Sequence, residues 1–156
     1  MTERHPFASY PAELAANFVE MFEGFKETAY LCPAGKLTIG FGHTGKDVKN
    51  GAVVTYNEAY EMLVRDLKAH IRELAPFISV LVTEGQFVAL ASLAFNVGNV
   101  PAKCPKLMRA LNAGDEEEAA KQFLDVTLVN GKIVPGLVRR RKAEATLFLK
   151  DVEGWA

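Results

Sequence analysis

Three side chains with complementary chemistry fall close together: Glu23, Cys32 and Thr38, with eight residues between the first two and five between the last two. A carboxyl group that keeps its proton can deliver it to a departing oxygen, while a second group handles water or the developing cation. The small and apolar residues of Pro11 to Met21 predict a short helix, which leaves Glu23 at or just past its carboxyl end. The helix dipole is negative there, and the flanking Phe22 and Phe25 would add desolvation if they pack around the acid; both effects favour the protonated form. Cys32 is the less ordinary member. A thiol with a pKa of about 8.5 is only slightly ionised at neutral pH, so its use as a base depends on surroundings that lower that value.

The elements that must position this set are a strand through Thr28 to Cys32, a Pro33-Ala34-Gly35-Lys36 turn, and a returning strand through Leu37 to Phe41. Strand alternation puts Leu37, Ile39 and Phe41 on one face and Thr38 and Gly40 on the other. Thr38 is therefore expected to face away from the apolar side, lining with Cys32 one wall of a groove whose other wall carries Glu23. Gly40, Gly42 and Gly45 leave backbone open to a ligand or serve turn geometry alone.

Beyond this hairpin the pattern is helical. A polar stretch from His43 to Val54 reads as loop with a short third strand. Thr55 and Glu58 form a capping box, and Tyr60, Leu63, Leu67, Ile71 and Leu74 make the apolar stripe of a long helix that stops near Pro76. Thr83 and Gln86 cap a second helix, apolar on nearly every face and so expected at the centre of the larger lobe. A short helix from about Pro105 to Asn112 ends at Gly114. Asp115 and Glu118 start another helix, with the acidic run Asp115 to Glu118 expected as a solvated face, and Asn130-Gly131 predicts a hairpin between Leu128-Val129 and Lys132-Ile133. A last helix runs from Leu137 to about Lys150. Phe7 and Tyr10 precede all of this in a lead-in segment expected to pack on the body. The expected fold class is α+β, mainly α, in one domain over residues 1–156. Its parts are a sheet-bearing lobe over about 23–55, a connecting helix over about 57–74, and a helical lobe over about 83–156 that includes the N-terminal helix.

Bulk properties narrow the function classes. The composition, 49% hydrophobic and 24% charged, is that of a globular protein, and no run approaches the roughly 18 apolar residues of a membrane span. A formal net charge of -1 recommends no nucleic-acid partner, although Arg139 to Lys142 form a local basic cluster. Two cysteines make neither a disulfide framework nor a metal site, and reduced thiols in a cytoplasm are the simpler expectation. The start, MTERHPFASYP, lacks the apolar core of a secretory leader.

The spacing of Glu23, Cys32 and Thr38, followed by TIGFGH, resembles the phage endolysin lysozymes. These are the T4-lysozyme-like enzymes of glycoside hydrolase family 24, whose signature admits aspartate or cysteine at the second position. QFVALASLAFNVG, LMRALNAGD and GLVRRRKAE extend the resemblance over nearly the whole chain. It implies a muramidase that cuts the β-1,4 bond between N-acetylmuramic acid and N-acetylglucosamine in peptidoglycan, with Glu23 as general acid and Cys32 and Thr38 handling the water. It implies no cofactor and no metal, a monomer, and an enzyme that waits in the host cytoplasm until a separate holin lets it reach the cell wall. Asn96 is an implied substrate contact, and one arginine of Arg139 to Arg141 is expected to meet the acidic peptide stems of peptidoglycan or Glu23 itself. Successive helical residues face different ways, so not all three arginines can do so, and Arg140 is carried forward. His43 and Asp66 are expected to form a salt bridge that ties the lobes together. Two rivals remain: a cysteine peptidase or amidase using Cys32 and His43, and a peptidoglycan-binding module without catalysis.

Overall fold

The computed structural model describes residues 2–129 and 131–152 and is an α+β fold, mainly α. Its residues group into two compact units, Ala12–Ala69 and Met1–Pro11 with His70–Ala156.

In the first unit, α1 (Ala12–Val19) precedes a three-stranded antiparallel sheet of β1 (Lys26–Leu31), β2 (Leu37–Gly40) and β3 (His43–Thr44), in that order. The β1–β2 turn closes with the Cys32 amide donating to the Lys36 carbonyl at 2.9 Å and the Gly35 amide to the Cys32 carbonyl at 2.8 Å. Gly35 takes φ +77°, a conformation that costs glycine little. The register pairs Leu31 with Leu37 and Tyr30 with Thr38, and shifts between Tyr30 and Lys26. The long helix α2 (Tyr56–Leu74) starts at the expected capping box: Glu58 N–H donates to Thr55 Oγ1 at 3.1 Å and Thr55 N–H to Glu58 Oε1 at 2.9 Å. Its stripe of Leu63, Leu67, Ile71 and Leu74 is buried. α1 groups with this sheet unit, whereas the sequence reading placed it with the later helices. Two phenols of α2 reach it, Tyr60 donating to Asn17 Oδ1 at 2.7 Å and Tyr56 to Glu20 Oε2 at 2.5 Å.

α2 carries the chain into the second unit. There α3 (Glu84–Val97) starts at the second capping box, Thr83 with Gln86, and every residue from Gln86 to Ala94 is buried, as its all-round apolar pattern requires. Phe7 and Tyr10 pack on Phe87, with ring centroids 5.3 and 5.1 Å away. One-turn helix α4 (Val100–Lys103) was not expected; Asn99 enters it at φ +44° and Pro101 occupies its first turn. α5 (Pro105–Asn112) and α6 (Glu116–Phe123) follow, the latter capped by Asp115, which accepts from Glu118 N–H at 3.2 Å. Glu116 departs from the solvated-face expectation. It receives Arg4 at 2.7 Å and the Gln86 side-chain amide, so it holds the amino-terminal segment to α3. β4 (Leu128–Val129) and β5 (Lys132–Ile133) form the predicted hairpin, although Asn130 of its turn lies outside the described residues. α7 (Pro135–Leu149) completes the unit.

Gly85 marks how closely α3 and α7 approach. A Cβ there would lie 2.3 Å from the Leu147 carbonyl oxygen, a backbone atom that cannot swing aside. Alanine gains about 1 kcal/mol in helix propensity over glycine, but overpacking costs about 1–3 kcal/mol and the obstacle here is rigid. Gly85→Ala is expected to lower the melting temperature by several degrees in a thermal scan. A native or higher value would show that the helices part without cost.

Candidate active site

Glu23 follows the last turn of α1, and its amide still donates to the Val19 carbonyl at 3.0 Å, so the residue is held at the negative end of that helix. Its side chain is half-buried. The carboxyl lies over Gly42: a Cβ at that glycine would stand 3.7 Å from Glu23 Oε2, and the glycine itself has φ +83°. The aromatic rings expected around the acid have partners of their own. Phe22 meets Phe18 at 5.1 Å, and Phe25 joins Phe41 and Tyr56 at 5.5 and 5.8 Å.

Cys32 opens the β1–β2 turn, and that turn aims backbone at its sulfur. The Lys36 amide, then the Thr38 hydroxyl, hold the thiol pKa below its ordinary value; slight desolvation opposes them, and the Ala34 and Cys32 amides add to them. Thr38 is buried, so its side chain is covered rather than presented on an open face. Burial runs from Thr38 through Ile39 to Gly40, so both faces of β2 are covered there. Its hydroxyl donates to the Lys36 carbonyl at 3.1 Å and is also within hydrogen-bonding reach of Cys32. One hydroxyl proton serves the carbonyl or the sulfur at a given moment, not both.

His43 is largely buried, with Nδ1 2.8 Å from Asp66 Oδ2 and Nε2 3.0 Å from Asp47 Oδ2. A neutral imidazole has a single N–H, so two carboxylates on its two nitrogens favour the doubly protonated ring. Burial pulls its pKa down, but the hydrogen bonds to Asp66 and Asp47 outweigh it and the value lies above the ordinary one. Asp47 is correspondingly lowered, first by its hydrogen bond to His43. Both His43 and Asp66 belong to the Ala12–Ala69 unit, so the pair fastens β3 to α2 within one unit rather than tying two lobes. With both nitrogens engaged, His43 has none left to serve Cys32 as a base, which removes the geometry the thiol-hydrolase rival needs. Asp47 was missed in the sequence; its only signal was an acid four residues after a histidine in a polar loop.

The remaining candidates lie in the helical unit. Asn96 is exposed near the end of α3. Arg140 is almost fully buried, and its guanidinium donates to Ser92. Ser92 and its buried neighbour Glu144 had no sequence signal beyond a small polar residue and an acid on apolar helix faces. Among the described residues, no group of three or more histidines, cysteines or acids is arranged to hold a metal ion. A cavity of about 640 Å³ near Glu3, His5, Tyr10 and Asp151 contains none of Glu23, Cys32 or Thr38.

Residues 20–144 match the family model described as Phage lysozyme. An endolysin of Bacillus phage B103 is 39% identical over 140 residues, which is 88% of this chain and 53% of the relative. An endolysin of Acyrthosiphon pisum secondary endosymbiont phage 1 is 37% identical over 134 residues, 83% of this chain and 91% of the relative. Among solved structures, the muramidase domain of SpmX from Asticaccaulis excentricus superposes with a TM-score of 0.81 at 31% identity, covering 90% of this chain and 97% of that one. The chain thus spans about half the length of the Bacillus phage relative and nearly all of the other two.

Two outcomes follow from the geometry. Iodoacetamide should label Cys32 in the folded protein with a pH midpoint below about 8.5, and should reach Cys104, buried with a thiol pKa pushed up by that burial, only after denaturation. A Cys32 midpoint at or above the free-thiol value would contradict the lowering. For His43, a raised folded-state pKa means that its stabilisation is complete below about 6.5 and is lost as pH rises through the raised value. Asp66→Asn should therefore cost about 1 kcal/mol near pH 6, roughly 2–4 °C in melting temperature, and less near pH 9. An equal loss at both pH values would show that the imidazolium contributes nothing.

Proposed function

The chain belongs to the phage lysozyme family, and from that premise we propose that it is an endolysin. In this reading it is a glycoside hydrolase of the lysozyme type, a muramidase cutting the β-1,4 bond between N-acetylmuramic acid and N-acetylglucosamine in peptidoglycan. What most supports the reading is the pairing of Cys32, at the β1–β2 turn, with Thr38 of β2 in the same small unit that holds the Glu23 carboxyl against a bare glycine. An acid and a water-handling group are what the hydrolysis needs.

Each residue then has one task. Glu23, protonated, gives its proton to the glycosidic oxygen as the bond to the anomeric carbon breaks. A water on the opposite face of the sugar, oriented by the Thr38 hydroxyl, attacks that carbon and loses its proton to the Cys32 thiolate. The product inverts at the anomeric centre, and the thiol and the Glu23 carboxylate return to their starting protonation through solvent. The lowered thiol pKa is what suits Cys32 to stand where relatives use aspartate. Asn96 and Arg140 are the substrate contacts, and His43 with Asp66 is structural. No cofactor enters these steps. Residues 1–156 act as one lysozyme domain and as a monomer, released from the host cytoplasm to the cell wall through a separate holin. Among the described residues, no helix is long and apolar enough to cross a membrane.

Purified protein incubated with peptidoglycan should release new reducing sugar ends and no new amines. Glu23→Gln should lower that rate by about 10²–10⁴ with the fold intact, while Cys32→Asp retains much of it. New amines that survive Glu23→Gln and vanish with Cys32→Asp would overturn the proposal in favour of a thiol hydrolase. Binding without either product would leave a wall-binding module.

A further inference from the structure

Antiparallel pairing fixes which side chains of the β1–β2 hairpin share a face. Tyr30 lies opposite Thr38 and Leu31 opposite Leu37, and the Cys32 amide, donating to the Lys36 carbonyl, continues the ladder into the turn. Side chains alternate along a strand, so Tyr30, Cys32 and Thr38 fall on one face while Leu31 and Leu37 take the other. The reach of the Thr38 hydroxyl to Cys32 agrees with that assignment. The shift of register in β1 falls between Lys26 and Tyr30, upstream of all these pairs.

Tyr30 is thus the third member of the face that carries the two water-handling groups. Residues directly opposite in an antiparallel pair have Cβ atoms about 4.5–5.5 Å apart, so the phenol ring starts out beside Thr38. Thr38 itself is only 3% exposed, whereas Tyr30 is 40% exposed, and so Tyr30 is the part of this face that stays open next to it.

The other tyrosines of the chain are committed elsewhere. Of the four, Tyr10 donates its hydroxyl to the Val82 carbonyl, Tyr56 to Glu20 and Tyr60 to Asn17. Among the described residues, the Tyr30 hydroxyl has no such acceptor and its ring meets no other aromatic ring. Strand propensity accounts for an aromatic residue in β1. It does not account for one set opposite Thr38 with its ring uncovered.

A pyranose ring presents C–H bonds on its faces and hydroxyls around its edge. Tyrosine matches it with a flat apolar body and one polar tip. In the proposed reaction the carbon attacked by water belongs to N-acetylmuramic acid, so a surface beside the water-handling pair is a surface beside that sugar.

We infer that Tyr30 is a substrate-binding residue whose ring packs against the N-acetylmuramic acid and keeps its anomeric carbon beside Cys32 and Thr38. The inference rests on the muramidase reading and on the roles it gives those two residues.

The test compares Tyr30→Ala and Tyr30→Phe by kcat and KM for release of reducing ends from peptidoglycan. Calorimetry on the Glu23→Gln background adds the affinity for soluble glycan fragments. Tyr30→Ala should raise KM and weaken fragment binding by about tenfold. Its melting temperature should stay within about 2 °C of native, as for other exposed positions. Tyr30→Phe keeps the ring and should recover most of the lost affinity. The pH midpoint for alkylation of Cys32 should not move in either variant; a shift would show a disturbed hairpin and overturn the inference. Native KM and fragment affinity for Tyr30→Ala would overturn it and leave the muramidase reading standing, as would a loss in Tyr30→Phe as large as in Tyr30→Ala. A loss confined to kcat would also overturn the binding role. No reducing ends from the native protein would overturn that reading and the inference with it. If circular dichroism shows that Tyr30→Ala does not fold, Tyr30→Leu, which keeps apolar bulk without a flat ring, is read in its place. Failure of both to fold would assign Tyr30 to the sheet and overturn the inference.

Discussion

The five-residue turn from Cys32 to Lys36 determines both the chemistry and the register of the small sheet. Its closing hydrogen bond, from the Cys32 amide to the Lys36 carbonyl, fixes the pairing of Leu31 with Leu37 and of Tyr30 with Thr38. A slip of one residue would turn every side chain of β2 to the other face and carry the Thr38 hydroxyl away from the sulfur. The same closure brings the Lys36 amide to the sulfur, so the group that does most to lower the thiol pKa belongs to the main chain. The side chain at position 36 can vary without altering it.

Two clusters show opposite solutions to one electrostatic problem. At His43, a cation stands between two carboxylates, one of them, Asp47, largely exposed, so much of that interaction is screened by solvent. At Glu144, an anion stands between two guanidiniums where water is excluded. Burial there pushes the Glu144 carboxyl above its ordinary range against the pull of Arg141 and Arg140, and pulls the Arg141 guanidinium down against the pull of Glu144. The first cluster can exchange partners with solvent as pH changes. The second has no such outlet.

What could be read in the sequence was local. Both capping boxes are visible because their partners lie three residues apart, and the β1–β2 and β4–β5 pairings because turn residues stand between apolar runs. The all-round apolar character of α3 foretold its burial. What escaped depends on distant chain. Thr38 is buried because both faces of β2 are covered, which alternation within one strand cannot report. Glu116 is indistinguishable in sequence from its acidic neighbours until Arg4 and Gln86 are brought to it. α1 was placed with the later helices although it directly precedes the sheet, while its bonds run to Tyr56 and Tyr60. Asp66 was found through the family resemblance; Asp47, Ser92 and Glu144 carry no spacing of their own that marks them.

The shared Glu144 carboxylate bears on how the helical unit can come apart. A partly detached α7 would leave the carboxylate, two guanidiniums and the Ser92 hydroxyl dry but mismatched, a worse state than either full docking or full hydration. Intermediate separations are thus the least favourable ones. The cluster therefore favours breathing at the α3–α7 seam in the segments beyond it and couples the unfolding of the two helices.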